Sequence, residues 1–227
     1  MTQAHATSIP RILHQTWRSR ALPRTLQRCR DSWLSRHPAW EHRFYDDEGC
    51  RALVHECGRR WVEVYDSLPT AIQRADLFRY LVMESHGGVY ADLDMACYRP
   101  IDALIGGASC VLSIEAHLTK TRQRELGYRA PRQLANCVLA AAPGHPFFRA
   151  LLSRIGSLDR VVVTTDADVE DSTGPRLLTR AFERLDASDR AAIRVLPQIL
   201  LMAPRECPRL PWIGPPVYAR HLAVGSW

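Results

Sequence analysis

Lysine is almost missing from this chain: Lys120 is the only one among 30 basic residues in 227. The formal charge of +6 is therefore carried by arginine, whose planar fork suits phosphate and carboxylate partners. The arginines are spread from Arg11 to Arg220, and only Arg59-Arg60 and the Arg122/Arg124/Arg129/Arg132 stretch are locally dense. No block of like charge marks a nucleic-acid arm. A composition drawn from a GC-rich genome accounts for the arginine equally well, so charge alone selects no partner. Also missing is any run approaching the roughly 20 apolar residues that span a bilayer. The polar start from Met1 to Ser8 lacks the apolar core of a secretory signal, and the late run Val195 to Ala203 is interrupted by Pro197. The sequence reads as that of a soluble protein. No Cys-x-x-Cys occurs, and the cysteines (29, 50, 57, 97, 110, 137 and 207) are seven, an odd number. That argues against a zinc ribbon or a disulfide scaffold and for reduced structural thiols in a cytosolic protein. Internal repeats and low-complexity segments are absent too.

What is present is ordinary for a globular domain: 46% hydrophobic and 24% charged residues. The length suits one domain over residues 1–227, with 1–8 expected to be disordered. Strand-like and helix-like stretches alternate, which favours an α/β class. Strands are expected at Arg11 to Thr16, Trp40 to Tyr45, Val89 to Leu93, Cys110 to Glu115, Ile193 to Leu196 and Ile199 to Met202. Helices are expected at Leu22 to Arg36, near Glu48 to Tyr65, at Ala71 to Ser85, Asn136 to Ala142, Pro146 to Ile155 and Pro175 to Leu185. The polar, arginine-rich stretch 117–132 shows no period and reads as a mobile loop.

The densest chemistry lies between Gln73 and Asp94. Asp92 and Asp94 are two apart, so an extended strand would point both carboxylates to one side. Converging carboxylates repel unless a cation or a shared proton intervenes. A hard divalent ion, Mn²⁺ or Mg²⁺, resolves that repulsion and can neutralise a diphosphate leaving group. Asp76 and Arg79, three apart, share a helix face, as partners for sugar hydroxyls and phosphate or as a plain surface ion pair. The intervening Gly87-Gly88 stops the helix and allows a sharp turn.

These segments, Ile9-Pro-Arg-Ile-Leu-His-Gln-Thr-Trp17, Ala75-Asp-Leu-Phe-Arg-Tyr80 and Gly87-Gly-Val-Tyr-Ala-Asp-Leu-Asp94, resemble glycosyltransferase family 32. The same core is similar to the catalytic domain of the large clostridial glucosylating toxins. The resemblance continues through Asn136 to Pro146, Thr173-Gly-Pro175 and His221 to Trp227. It implies a GT-A type, Rossmann-like fold with a mostly parallel central sheet flanked by helices, and a donor at the strand carboxyl ends, where open α/β sheets bind ligands. It implies that Trp17 stacks on the nucleotide base and that Asp46 or Asp47 contacts the nucleotide, although both acids also suit a helix cap. Asp76, Arg79 and Tyr90 would meet the donor. Asp92 and Asp94 would hold the metal, with His221 and Ser226 as further candidate ligands and Trp227 closing over the diphosphate. Asn136 would lie near the donor sugar or cap a helix, and His145 would serve a turn.

The activity so implied is metal-dependent, retaining transfer of a hexose from a nucleotide-sugar to a saccharide or lipid-linked acceptor. UDP is the preferred carrier, with GDP-mannose the alternative, and no nucleic-acid partner is expected. Bacterial surface polysaccharide synthesis in the cytoplasm, peripheral at the inner membrane face, is the expected setting, with 117–132 as the acceptor loop. Two other classes stay open. A metal-dependent phosphohydrolase also carries Asp-x-Asp after a strand, but usually a Thr where Ala96 stands. A non-catalytic basic phosphate- or RNA-binding module would leave Asp92 and Asp94 unexplained.

Overall fold

The computed structural model describes residues 8–158, 162–204 and 216–224. In chain order the elements are β1 (Ile12–Thr16), α1 (Arg24–Arg36), β2 (Glu41–Tyr45), α2 (Asp47–Glu56), α3 (Arg59–Ser67), α4 (Ala71–Ser85), β3 (Gly88–Ala91), β4 (Met95–Cys97), α5 (Asp102–Ile105) and β5 (Cys110–His117). There follow α6 (Lys120–Glu125), β6 (Arg132–Leu134), β7 (Val138–Ala141), α7 (Pro146–Ile155), α8 (Asp166–Ser172), α9 (Pro175–Glu183), α10 (Ala187–Ala192), β8 (Arg194–Leu196), α11 (Gln198–Leu201) and β9 (Ala219–His221).

β2, β1 and β3 lie side by side and parallel. β7 runs antiparallel between β3 and β5, and β5 also pairs with β6 antiparallel and β8 parallel. Of this seven-stranded sheet, β1, β2, β3, β5 and β8 point one way, giving the mostly parallel, helix-flanked architecture implied by the sequence. Trp17 follows β1, Asp46 follows β2, Asp92 follows β3 and Asn136 precedes antiparallel β7, so all four fall on one sheet edge. A separate ribbon pairs β4 with β9, setting Met95 opposite His221 and returning the late chain to the Asp92–Asp94 segment.

The core lies on both faces of the sheet. On one, Leu77, Phe78 and Tyr80 of α4 meet Phe147, Phe148, Leu151, Leu178 and Phe182. On the other, Leu13, Val89, Val111 and Val138 pack with Trp33, Met95 and Ile101. α4 is buried around most of its circumference, as expected of a helix that is apolar on several sides. Its start is fixed by a capping box between Thr70 and Gln73. Its exit needs glycine: Gly87 and Gly88 have φ of +64° and +92°, and a Cβ on Gly88 would stand 2.7 Å from the Ile12 carbonyl oxygen.

Several elements differ from the sequence reading. Asn136 to Ala142 is not a helix: Val138–Ala141 is β7, hydrogen-bonded between two strands. An unbroken apolar run fits a buried strand and a buried helix equally, and pairing decided it; the helix-cap reading of Asn136 falls with it. Ile199 to Met202 is not a strand, because Pro197 at the N-cap starts the single turn α11. The stretch 117–132 is not structureless: it holds α6, capped by Thr119, and a Leu118 N–H to Pro131 C=O bond closes its base. β3 stops at Ala91, so Asp92-Leu93-Asp94 is a turn, closed by the Met95 N–H on the Asp92 carbonyl, rather than an extended pair.

His14 on β1 is fully buried. Its Nε2–H donates to the Gly87 carbonyl at 2.9 Å, and its Nδ1 accepts from the Tyr45 hydroxyl at 3.2 Å. Burial pushes its pKa down to about 3 and that of His42 down to about 4. A histidine neutral in the fold but protonated below about 6.5 when unfolded withdraws stability as pH falls. His14 alone is expected to remove roughly 2 kcal/mol between pH 7 and pH 5. An NMR titration of the His14 ring within that range would disprove this.

Candidate active site

The turn after β3 sets the site. Tyr90, fully buried, donates its hydroxyl to Asp92 Oδ1 at 2.8 Å. Arg79, one residue past the middle of α4, puts Nη1 3.3 Å from each Asp92 carboxylate oxygen and donates to the Asn136 carbonyl at 2.9 Å. Its Nη2 lies 3.4 Å from Asp76 Oδ1, and its guanidinium sits over the Tyr90 ring, 4.9 Å from the centroid. Burial works against its charge, but Asp92, Tyr90 and Asp76 more than offset that and hold its pKa well above the usual arginine value. Asp76 and Arg79 are thus a buried pair, each about 3% exposed, not a surface one. Burial pushes the Asp76 pKa up to about 6, against the pull of Arg79, Thr173 and Asn136.

Asp94 faces the ribbon. His221 Nε2 stands 3.0 Å from Asp94 Oδ1, the Val224 N–H donates to Oδ2 at 3.2 Å, and the Leu222 N–H reaches the Asp94 carbonyl at 3.1 Å. Between those two amides Ala223 takes φ of +49°, a left-handed conformation uncommon for a non-glycine residue. Burial raises the Asp94 pKa, but His221 and the Val224 amide outweigh it and the net shift is downward. Burial lowers that of His221, and Asp94 reverses the sign, so the pair favours carboxylate and imidazolium.

The ligand atoms of Asp92, Asp94 and His221 lie within 4.8 Å of one another. Two carboxylates and an imidazole fit Mn²⁺ or Mg²⁺, and the nitrogen donor suits Mn²⁺ better. These three line a cavity of about 340 Å³ together with Asp76, Arg79, Asn136, Glu170 and Pro175. A second cavity, of about 370 Å³, flanks the other side of α4's first turns and is lined by Thr16, Arg18, Asp47, Arg51, Tyr65 and Arg74.

Not every expected residue reaches these cavities. Trp17 is 5% exposed, packed with Leu26 and Leu93, with the Arg18 guanidinium 5.3 Å from its ring centroid; little of its face is open to a base. Asp46 caps α2 through the Gly49 N–H and pairs with Arg20 at 2.9 Å, whereas its neighbour Asp47 lines the second cavity. His145 caps α7. Ser226 and Trp227 lie outside the described residues. Residues that pattern reading missed are Tyr80, Thr173 and Glu170. Tyr80 and Thr173 both lie in family motifs, but only the fold joins them around Asp76.

The family described as the glycosyltransferase sugar-binding region containing the DXD motif matches residues 23–111, a span that contains Asp76, Arg79, Asp92 and Asp94. Inositol phosphoceramide mannosyltransferase 1 of Schizosaccharomyces pombe is 28% identical over 222 residues, 96% of this chain and 62% of that protein. Inositol phosphoceramide mannosyltransferase 3 of the same yeast is 32% identical over 177 residues, 77% of this chain and 45% of that protein. The chain is similar to the glycosyltransferases of family 32, whose DXD region it carries over residues 23–111. It spans between about half and three-fifths of the length of these curated relatives. Among solved structures, the PaToxG glycosyltransferase superposes with a TM-score of 0.56 at 15% identity, covering 83% of this chain and 76% of that one. The UDP-bound glycosyltransferase domain of the YGT toxin gives 0.50 at 11% identity, covering 84% and 80%. At such identities the likeness establishes the glycosyltransferase fold, and Asp76, Arg79, Asp92 and Asp94 line the cavity at its strand ends.

Proposed function

We propose that this chain is a metal-dependent, retaining glycosyltransferase that moves a hexose from a nucleoside diphosphate sugar to a saccharide or lipid-linked acceptor. The observation that carries this is the convergence of Asp92, Asp94 and His221 in one cavity with the buried Asp76–Arg79 pair. A divalent ion held by Asp92, Asp94 and His221 would supply charge neutralisation at the leaving diphosphate. Asp76, deep in the same cavity, is set to accept from hydroxyls of the donor sugar. Arg79 holds Asp92 in place and adds a fixed positive charge where negative charge grows on the leaving group. No carboxylate is nominated as a covalent nucleophile. In a front-face exchange the bond from the anomeric carbon to diphosphate breaks, that to the acceptor oxygen forms on the same side, and the acceptor proton leaves with the diphosphate.

The second cavity, with Asp47, Tyr65 and three arginines, is our choice for the nucleoside end of the donor. UDP remains the first carrier to test, with GDP-mannose the alternative; the names of the yeast relatives favour mannose as the sugar and put an inositol phosphoceramide beside polysaccharide as acceptor. The unpaired thiols of the described cysteines support a reducing cytoplasmic setting, at the membrane face for a lipid-linked acceptor. A phosphohydrolase is less well supported, because its attacking carboxylate would be Asp92, already engaged by Tyr90 and Arg79.

The test is donor hydrolysis or transfer by purified protein across UDP- and GDP-hexoses, with Mn²⁺ and with chelator. Turnover of one donor that needs Mn²⁺ is the expected result. Failure to bind any nucleotide with Mn²⁺ present would reject the transferase reading.

A further inference from the structure

Behind the wall of the catalytic cavity lies a closed ring of hydrogen bonds that joins three separate segments of the chain. The Thr173 hydroxyl donates to Asp76 Oδ2 at 2.8 Å, and its 3.5 Å approach to the Val169 carbonyl is the weaker of its two contacts. The Asn136 amide donates to Asp76 Oδ1 at 2.9 Å and to the Tyr80 oxygen at 3.4 Å. The Tyr80 hydroxyl donates in turn to the Thr173 carbonyl at 2.8 Å. Every donor in the ring has an acceptor, and the four residues come from α4, the segment before β7 and the α8–α9 junction. One turn earlier on α4, the Gln73 amide donates to the Ser172 hydroxyl at 2.8 Å.

The ring joins two walls of one cavity. Asp76 and Asn136 line it from the α4 and β7 side, and Val169, Glu170, Gly174 and Pro175 line it from the α8–α9 side. Thr173 itself is fully buried and is not among the lining residues, so it does not reach a ligand there. We propose that Thr173 is a positioning residue for sugar transfer: its hydroxyl and carbonyl together fix the Asp76 carboxylate and the α8–α9 wall in one arrangement around the donor sugar. This rests on the transferase reading of the cavity. Asp76 has two lone pairs committed to uncharged donors and a third shared with Arg79, which leaves it one direction in which to meet a sugar hydroxyl. Loss of the Thr173 hydroxyl frees the carboxylate to rotate, and displacement of about 1 Å at such a contact costs about 100-fold in rate.

The ring also favours the ionised form of Asp76. The charged or titratable groups that face Asp76 are Arg79 and Tyr80 from its own helix and Asp92 from the end of β3. Removing the Thr173 donor leaves burial and Asp92 less opposed, which moves the acid limb of the rate profile to higher pH.

The experiment compares Thr173→Val, Thr173→Ser and Tyr80→Phe with the parent in metal-dependent donor hydrolysis, using the nucleotide-sugar that the donor panel selects. Thr173→Val is expected to lose about 10- to 100-fold in kcat, with a small change in donor KM and an acid limb displaced upward. Thr173→Ser is expected to restore both, and Tyr80→Phe to fall between. A folded Thr173→Val with the parent's kcat and pH profile would overturn the assignment. If Thr173→Val fails to fold, Tyr80→Phe with the parent's kcat overturns it instead. A parent inactive with every donor would reject the transferase reading and this assignment with it, whereas an active parent with indifferent variants rejects the assignment alone.

Discussion

Asp94→Asn is expected to lose roughly a thousandfold of metal-dependent turnover, the several kcal/mol that charge stabilisation by a bound ion supplies at a leaving group. The same substitution should abolish saturable Mn²⁺ binding in calorimetry. The reason is geometric as well as electrostatic: Asp94 is the carboxylate that joins the Asp92 turn to the β4–β9 ribbon, through His221 and the Val224 amide. Asparagine keeps the volume and one acceptor oxygen, so the ribbon should stay paired and melting should change little. What disappears is the negative charge that holds His221 as a partner and Mn²⁺ as a ligand. An Asp94→Asn protein that turns over donor at the parent rate, still dependent on Mn²⁺, would remove Asp94 from the metal site.

Arg79→Met should act on the fold first. Arg79 is 3% exposed and is shared by Asp76, Asp92 and the Asn136 carbonyl. Methionine fills much of the space but leaves two carboxylates and a carbonyl without their cation. Breaking a buried pair from one side costs about 3–5 kcal/mol, which for a domain of this size is roughly a 10 °C fall in melting temperature. Lysine keeps the charge but loses the fork that reaches three acceptors at once, so Arg79→Lys should melt between the two. A calorimetric scan in which Arg79→Met melts with the parent would mean that the two carboxylates share a proton or that water enters. Activity should fall in both variants, because Asp92 loses the contact that aims it.

The alternation of elements and the capping signals were legible because they are local. Pro146 opening α7 and the glycine pair closing α4 are encoded within a few residues of where they act. The helix α4 carrying Asp76 and Arg79 could likewise be read in the sequence, and so could the Asp92–Asp94 pair that follows the glycines. Where neighbours decide, reading failed. Val138–Ala141 is a strand only because β3 and β5 stand on either side of it, and residues 198–201 turn helical after Pro197. The role of Asp46 illustrates the same limit: sequence placed two acids after β2, but only the packing of α2 gave the first to a cap and the second to a cavity.

The order of residues along the chain supplies the chemistry on offer: two carboxylates two apart, an Asp-x-x-Arg helix ahead of them, and a late histidine. Tertiary structure decided how those groups meet. It turned the carboxylates on a bend instead of a strand and brought His221 back across more than a hundred residues to Asp94. It also buried Asp76 against Thr173, 97 positions away. Spacing along a chain fixes which side chains share a face of one element, but a cavity is made where elements from distant parts of the chain pack, and that depends on the whole core.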